Sequence, residues 1–150
     1  QNDFPSESFI VQKIVESAGL QAGLGFPGRH DVGLFVAGNS VAGCYVRRPK
    51  EGGYISNDIH GGTLTVRDVA TLPDELIDFA ERVSNMLPKG SRIFSIDSFY
   101  DAVEKKWKVI EINANAGLPS TDYGQHAWST INAIADYVVR TYNDLKESKS

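Results

Sequence analysis

With 150 residues, 41% of them apolar and 23% charged, the chain has the size and balance of one ordinary globular domain, residues 1–150, able to bury most of its apolar surface in a single core. A formal charge of -4 argues against a generic nucleic-acid binder or a basic membrane-surface protein, and no apolar run approaches the roughly 20 residues that cross a bilayer. Cys44 is the only cysteine, which excludes an internal disulfide and a Cys-cluster metal site and is compatible with a reducing compartment. The opening Gln-Asn-Asp-Phe-Pro has no signal-peptide character, so the expected location is the cytoplasm. Without an initiator Met, the stretch reads as a processed product or a piece of something larger.

In chain order, Phe9 to Val15 is a short β-branched run, followed from Ala18 to His30 by a loop with four glycines (Gly19, Gly23, Gly25, Gly28) and Pro27. Val32–Val36 and Val41–Val46 form the clearest hairpin, since Gly38-Asn39 supplies the positive φ angles of a tight turn. A second glycine-rich loop runs from Lys50 to Gly62. Thr71 is the expected cap of a helix with Pro73 and Asp74 in its first turn and Leu76, Phe79, Ala80, Val83 and Leu87 on its apolar face, ending at Pro88-Lys-Gly90. Ile93–Tyr100 and Trp107–Asn113 alternate as strands around a polar turn. Gln125 to Leu145 carries Trp128, Ile131, Ala135, Val138, Tyr142 and Leu145 at helical spacing, which reads as a core-facing stripe. The tail Lys146–Ser150 is polar and reads as a frayed natural C-terminus. There is no internal repeat. The order points to an α+β fold, a mainly antiparallel sheet with flanking helices.

Two stretches carry chemistry. With the second hairpin's turn centred near Glu104, Asp97 lies across from Glu111, and Asn113 falls on the same face one pair further along. Like charges facing each other destabilise a sheet. A hard divalent cation removes that penalty, and Mg2+ is satisfied by one or two carboxylates completed by phosphate and water. The competing reading is a solvated polar face of a half-exposed sheet. The other stretch, Arg47-Arg48 followed by Asn57-Asp-Ile-His60-Gly61-Gly62, places guanidinium forks beside a glycine loop that lets backbone approach a ligand. Its competing reading is an ordinary surface loop at a strand end.

Other motifs fail on context. Gly23-Leu-Gly25-Phe-Pro-Gly28 matches the dinucleotide fingerprint by letter, but Pro27 and the strand that follows break the strand-to-helix setting it needs. His30, His60 and His126 have no zinc-ligand spacing. Cys44 reads as a strand filler, and no nucleophile elbow or Walker loop is present.

Taken in order and spacing, these residues resemble the C-terminal half of the ATP-grasp ligase fold, in its glutathione synthetase and ribosomal-protein glutamate ligase branch, over roughly residues 9 to 140. The resemblance makes Phe9 to Val15, including Gln12, Lys13 and Ile14, the segment whose backbone meets adenine, and Glu16 the acid that follows. Asp31–Val36 and Val41–Arg48 resemble the hairpin that ends in an arginine near the transferred phosphate, here Arg48. Arg47 is the weaker candidate because adjacent strand residues face opposite ways. Asn57 to Gly62 resembles the Asn-x-x-x-Gly-Gly loop. Asp97, Glu111 and Asn113 resemble the metal ligands, followed by a Pro-Gly-like turn that here reads Ala116-Gly117. Three departures stand out. Gly33 occupies a place where the family usually has arginine, the Leu20 to Arg29 loop is longer than in close relatives, and the N-terminal lobe with its phosphate-binding lysines is not in this chain.

The resemblance implies an ATP- and Mg2+-dependent carboxylate-amine ligase working through an acyl phosphate. One or two ions, Mn2+ in place of Mg2+ included, would be held by Asp97, Glu111 and Asn113. Arg48 and Asn57 would be catalytic, and Gln12, Lys13, Ile14, Glu16, Arg48, Asn57, Gly61 and Gly62 would contact ATP. Its partners would be ATP, a carboxylate and an amine substrate (amino acid or peptide) and the N-terminal lobe of the same enzyme, with no nucleic acid and no membrane. The alternative is a non-catalytic nucleotide-binding or assembly module with a degenerate ATP-grasp site. A weaker third reading is a metal-dependent phosphohydrolase.

Overall fold

The computed structural model describes residues 17–56, 61–88 and 92–148. The β-branched run Phe9 to Val15 lies outside them, as do Glu16 and Asn57. The described elements are strands β1 (Asp31–Ala37), β2 (Ser40–Arg48) and β3 (Thr63–Arg67), helix α1 (Asp74–Met86), strands β4 (Ile93–Asp101) and β5 (Lys106–Asn113), and helix α2 (Gln125–Glu147). The five strands form one antiparallel sheet in the order β3-β2-β1-β4-β5, so the fold is α+β as the sequence implies.

The strand alternation sorts side chains to two faces. One face sends Val32, Leu34, Val36, Cys44, Val46 and Ile96 into the main core, where Leu76, Phe79, Ala80 and Val83 of α1 meet them. Burial pushes the Cys44 thiol up to about 12, which leaves it an inert filler. The Ala18 to His30 loop also belongs to this core, because Ala22 and Leu24 are buried in it. His30 is buried with its ring edge-on to Phe26 and Trp107, a packing histidine.

On the opposite face, α2 covers only the end of the sheet where Phe35 and Ala37 pack against Ile134. The helix comes close because residue 43 is glycine: a Cβ there would stand 2.0 Å from Thr130 Oγ1. The remainder of that face, toward Asp31, Gly33 and Asp97, is left for polar groups.

Three local expectations change. In the first hairpin only Gly38 takes positive φ, 69°, and Asn39 instead uses its side-chain oxygen to accept from Ser84 Oγ and Arg92 Nη2. Thr71 does not cap α1; it closes a single 3-10 turn (Val69–Thr71) capped by Asp68, and Pro73 occupies the N-cap of α1 without a side-chain hydrogen bond. The apolar stripe of α2 is not the core face. Trp128, Val138, Tyr142 and Leu145 stand 48 to 65% exposed, while Ala127, Thr130 and Ile134 are buried. The helix meets the sheet closely through Thr130 at Gly43, and the larger side chains of the stripe stand outside that contact. We therefore expect Ile134→Ala to cost about 2–4 kcal/mol in urea unfolding and Val138→Ala to stay within about 0.5 kcal/mol.

Candidate phosphate and metal site

The open half of the α2-side face is built around a missing side chain. Gly33 in β1 is paired on one side with Tyr45 of β2 and on the other with Asp97 of β4. A Cβ on residue 33 would stand 1.9 Å from Tyr45 Cζ, so the Tyr45 ring lies directly over the bare backbone. From there its hydroxyl donates to Asp97 Oδ1 at 2.8 Å, reaching across β1. The ring is seated edgewise on Phe35, with centroids 5.5 Å apart.

Arg47, two residues along β2 and so on the same face, donates through Nη2 to Asp97 Oδ2 at 2.9 Å and through Nε to Asp31 Oδ1 at 2.6 Å. Its guanidinium also lies 5.2 Å from the Tyr45 ring centroid. The result is a relay Asp31–Arg47–Asp97 with Tyr45 closing the far end. The Asp97 side chain is only 5% exposed, against 23% for Arg47.

This environment fixes the protonation states. Desolvation would lower Arg47, but its hydrogen bond to Asp31 and the charges of Asp31 and Asp97 outweigh it and leave the guanidinium above its ordinary range. Burial pushes the Asp31 carboxyl up, a shift that Arg47 offsets only in part. Burial together with the Asp97 charge raises the Tyr45 phenol, so it remains a hydrogen-bond donor.

Glu111 stands opposite Asp97 as the alternation implies, but a β-bulge brings it there. Ser98 pairs with Val109 and Asp97 with Glu111, so Ile110 is the extra residue. Asn113 is on the same face, opposite Ser95, and its Nδ2 donates to Glu111 Oε1 at 3.0 Å. Glu111 is exposed and Asn113 half-buried on the edge strand. The turn beneath them is fixed by Asp101, which accepts from the Val103 and Glu104 amides at 2.9 and 3.0 Å and pairs with Lys108 Nζ at 2.7 Å.

Arg48 is placed elsewhere. It follows Arg47 and therefore faces the other side of the sheet, the Val46 side, where its guanidinium lies 5.1 Å from the Phe26 ring. It lines a cavity with Arg29, Lys50, Gly52, Gly53 and Tyr54. Gly61, at φ 81°, lies near Lys50. Gln12, Lys13, Ile14, Glu16 and Asn57 lie outside the described residues. The structure thus brings together Asp97, Glu111 and Asn113, adds Asp31, Tyr45 and Arg47, and separates Arg48 from them. The sequence signal for the added group is Gly33, since an isolated glycine in a strand marks a close approach.

Among the described residues no three His, Cys, Asp or Glu side chains converge as a ready metal cage. The expected ligands on this face are two carboxylates, Asp97 and Glu111, and the Asn113 amide oxygen, all hard donors, with Asp97 already balanced by Arg47. Such a set fits a Mg2+ that draws most of its shell from substrate phosphates and water, and it does not fit zinc.

Two outcomes follow. Arg47→Ala leaves Asp31 and Asp97 without their shared cation and should cost about 2–3 kcal/mol in urea unfolding, less than for a fully buried pair because Arg47 is partly exposed. Adding Asp97→Asn to that variant should recover part of the loss. The Lys108 pairing and the Glu104 amide hold the Asp101 carboxyl down to about 2, so its stabilisation is complete above the ordinary carboxylate range. It should fade as pH falls from about 4 toward about 2, an acid-side dependence that Asp101→Asn removes, read by hydrogen exchange at the β4–β5 amides.

The model of the RimK-like ATP-grasp domain matches residues 5–136. No curated protein matches the chain. The matched span contains the whole sheet with its relay, so the chain belongs to the RimK-like ATP-grasp family, a family of ATP-dependent carboxylate-amine ligases.

Proposed function

We propose that this chain, residues 1–150 as one domain, supplies the metal- and phosphate-facing half of a ligase that joins a carboxylate to an amine through an acyl phosphate. The observation that carries this reading is the shared face of Asp97, Glu111, Asn113 and Arg47 beside the family match. A substrate carboxylate oxygen attacks the γ-phosphorus of ATP and ADP leaves. The amine nitrogen then attacks the acyl carbon, inorganic phosphate departs, and the nitrogen loses a proton.

Catalysis of such steps is mostly positioning and charge neutralisation. Glu111 and Asn113, with Asp97, would hold one or two Mg2+ ions, Mn2+ substituting. When bound, the metal offsets the charge of the β- and γ-phosphates. The phosphate-facing guanidinium falls to Arg47, whose fork already donates to two carboxylates and is of the kind that binds phosphate oxygens. Arg48 sits with the Gly52–Gly53 loop, and Asn57, Gly61 and Gly62 would position the same region from the loop's far end. Gln12, Lys13, Ile14 and Glu16 would meet the adenine. An N-terminal lobe of the same enzyme would complete the phosphate cradle, and the cytoplasm is the compartment that supplies ATP.

A second reading, a non-catalytic module with a degenerate site, draws on one observation: both oxygens of Asp97 are engaged by Tyr45 and Arg47. The two readings separate on turnover. In the full-length protein with Mg2+ and pools of amino acids and peptides, we expect ADP release that depends on an acceptor and falls roughly 100-fold or more in Glu111→Gln. ADP release without any acceptor would point to a phosphohydrolase. No release from a folded protein would favour the non-catalytic module.

A further inference from the structure

Asp97 receives both of its donors from β2, two strands away, because nothing on residue 33 blocks the path. The two donors differ in kind. Arg47 is shared with Asp31 and carries a charge, so any phosphate arriving on this face competes for it. Tyr45 is neutral and wedged between the bare Gly33 backbone and Phe35, so an arriving phosphate attracts it far less than it attracts the guanidinium. Once Arg47 turns to a phosphate, the Tyr45 hydroxyl is the donor that remains on a carboxylate only 5% exposed. A carboxylate that buried does not tolerate the loss of every donor, and without one it would rotate away from its place on the face.

We propose that Tyr45 is a positioning residue for Asp97: standing over Gly33, its hydroxyl holds the carboxylate in place on the open face while Arg47 engages phosphate. This rests on the ligase reading above, in which Asp97 contributes to the metal site. Gly33 and Tyr45 then form one functional unit, a side chain removed on the central strand so that a phenol from the neighbouring strand can take its place. The bond involved is a single O–H···O contact, so the change Tyr45→Phe removes it and leaves the ring packing on Phe35 intact.

The test is Mn2+ binding to the full-length protein in the presence of a non-hydrolysable ATP analogue, read by electron paramagnetic resonance, with unfolding followed in parallel. Tyr45→Phe should fold and bind Mn2+ about tenfold more weakly. Gly33→Ala, which drives a Cβ into the Tyr45 ring, should show the same loss, and the double variant little more than either alone. Glu111→Gln serves as the control for the underlying reading. If Glu111→Gln loses Mn2+ while a folded Tyr45→Phe binds as the wild type does, the role of Tyr45 is overturned and the metal reading stands. Tighter binding by Tyr45→Phe would also overturn it, since the phenol would then be competing with the metal. If Glu111→Gln binds normally, the metal reading itself fails and the inference with it.

Discussion

The site depends on a carboxylate held by groups from a strand it does not pair with. Asp97 and β2 are separated by β1, and only the absence of a side chain at Gly33 lets Tyr45 and Arg47 reach it. The arrangement costs desolvation of three charged groups, which the Asp31–Arg47–Asp97 geometry offsets with short, charge-assisted hydrogen bonds. Removing one member therefore does more than delete a contact, because it strands the others. In the proposed ligase the guanidinium would pass from the two carboxylates to a phosphate, with the neutral Tyr45 hydroxyl staying on Asp97.

Two β-bulges set this alignment. In the first hairpin the register shifts between Phe35 and Val36, which brings Asp31 opposite Arg47 and Gly33 opposite Tyr45. In the second it shifts between Asp97 and Ser98, which brings Glu111 opposite Asp97. Without them each hairpin would pair its site residues one position away, and side chains meant for the open face would turn into the core. Both bulges lie beside residues of the candidate site, where re-aiming one side chain has the most effect.

Strands β1, β2, β4 and β5, both hairpins, the buried face of α1 and the facing of Asp97 and Glu111 are legible in the sequence, because β-branched alternation and turn chemistry act locally; the short edge strand β3 is not. The Asp97–Glu111 pairing follows from a turn centred near Glu104; the bulge at Ile110 is what makes that centre apply at the site. Which arginine joins the acids was not legible in the same way. It depends on register through two successive strand pairs, and one shifted residue exchanges Arg47 for Arg48. The face of α2 misled for a different reason. Its large apolar residues follow a regular helical stripe, yet the helix meets the sheet at Gly43 through Thr130, where close approach outweighs the area a Trp or Tyr would bury. The 18–30 loop, with four glycines and Pro27, has no periodicity from which the burial of Ala22 and Leu24 could be read.

The most direct test of the account is a crystal structure of the full-length protein with Mg2+ and a non-hydrolysable ATP analogue. Metal density is expected at about 2.0–2.1 Å from oxygens of Asp97, Glu111 and Asn113, with Arg47 turned onto a phosphate and Tyr45 still on Asp97. Phosphates bound away from the Asp97 face, with the Asp31–Arg47–Asp97 relay unchanged, would contradict it.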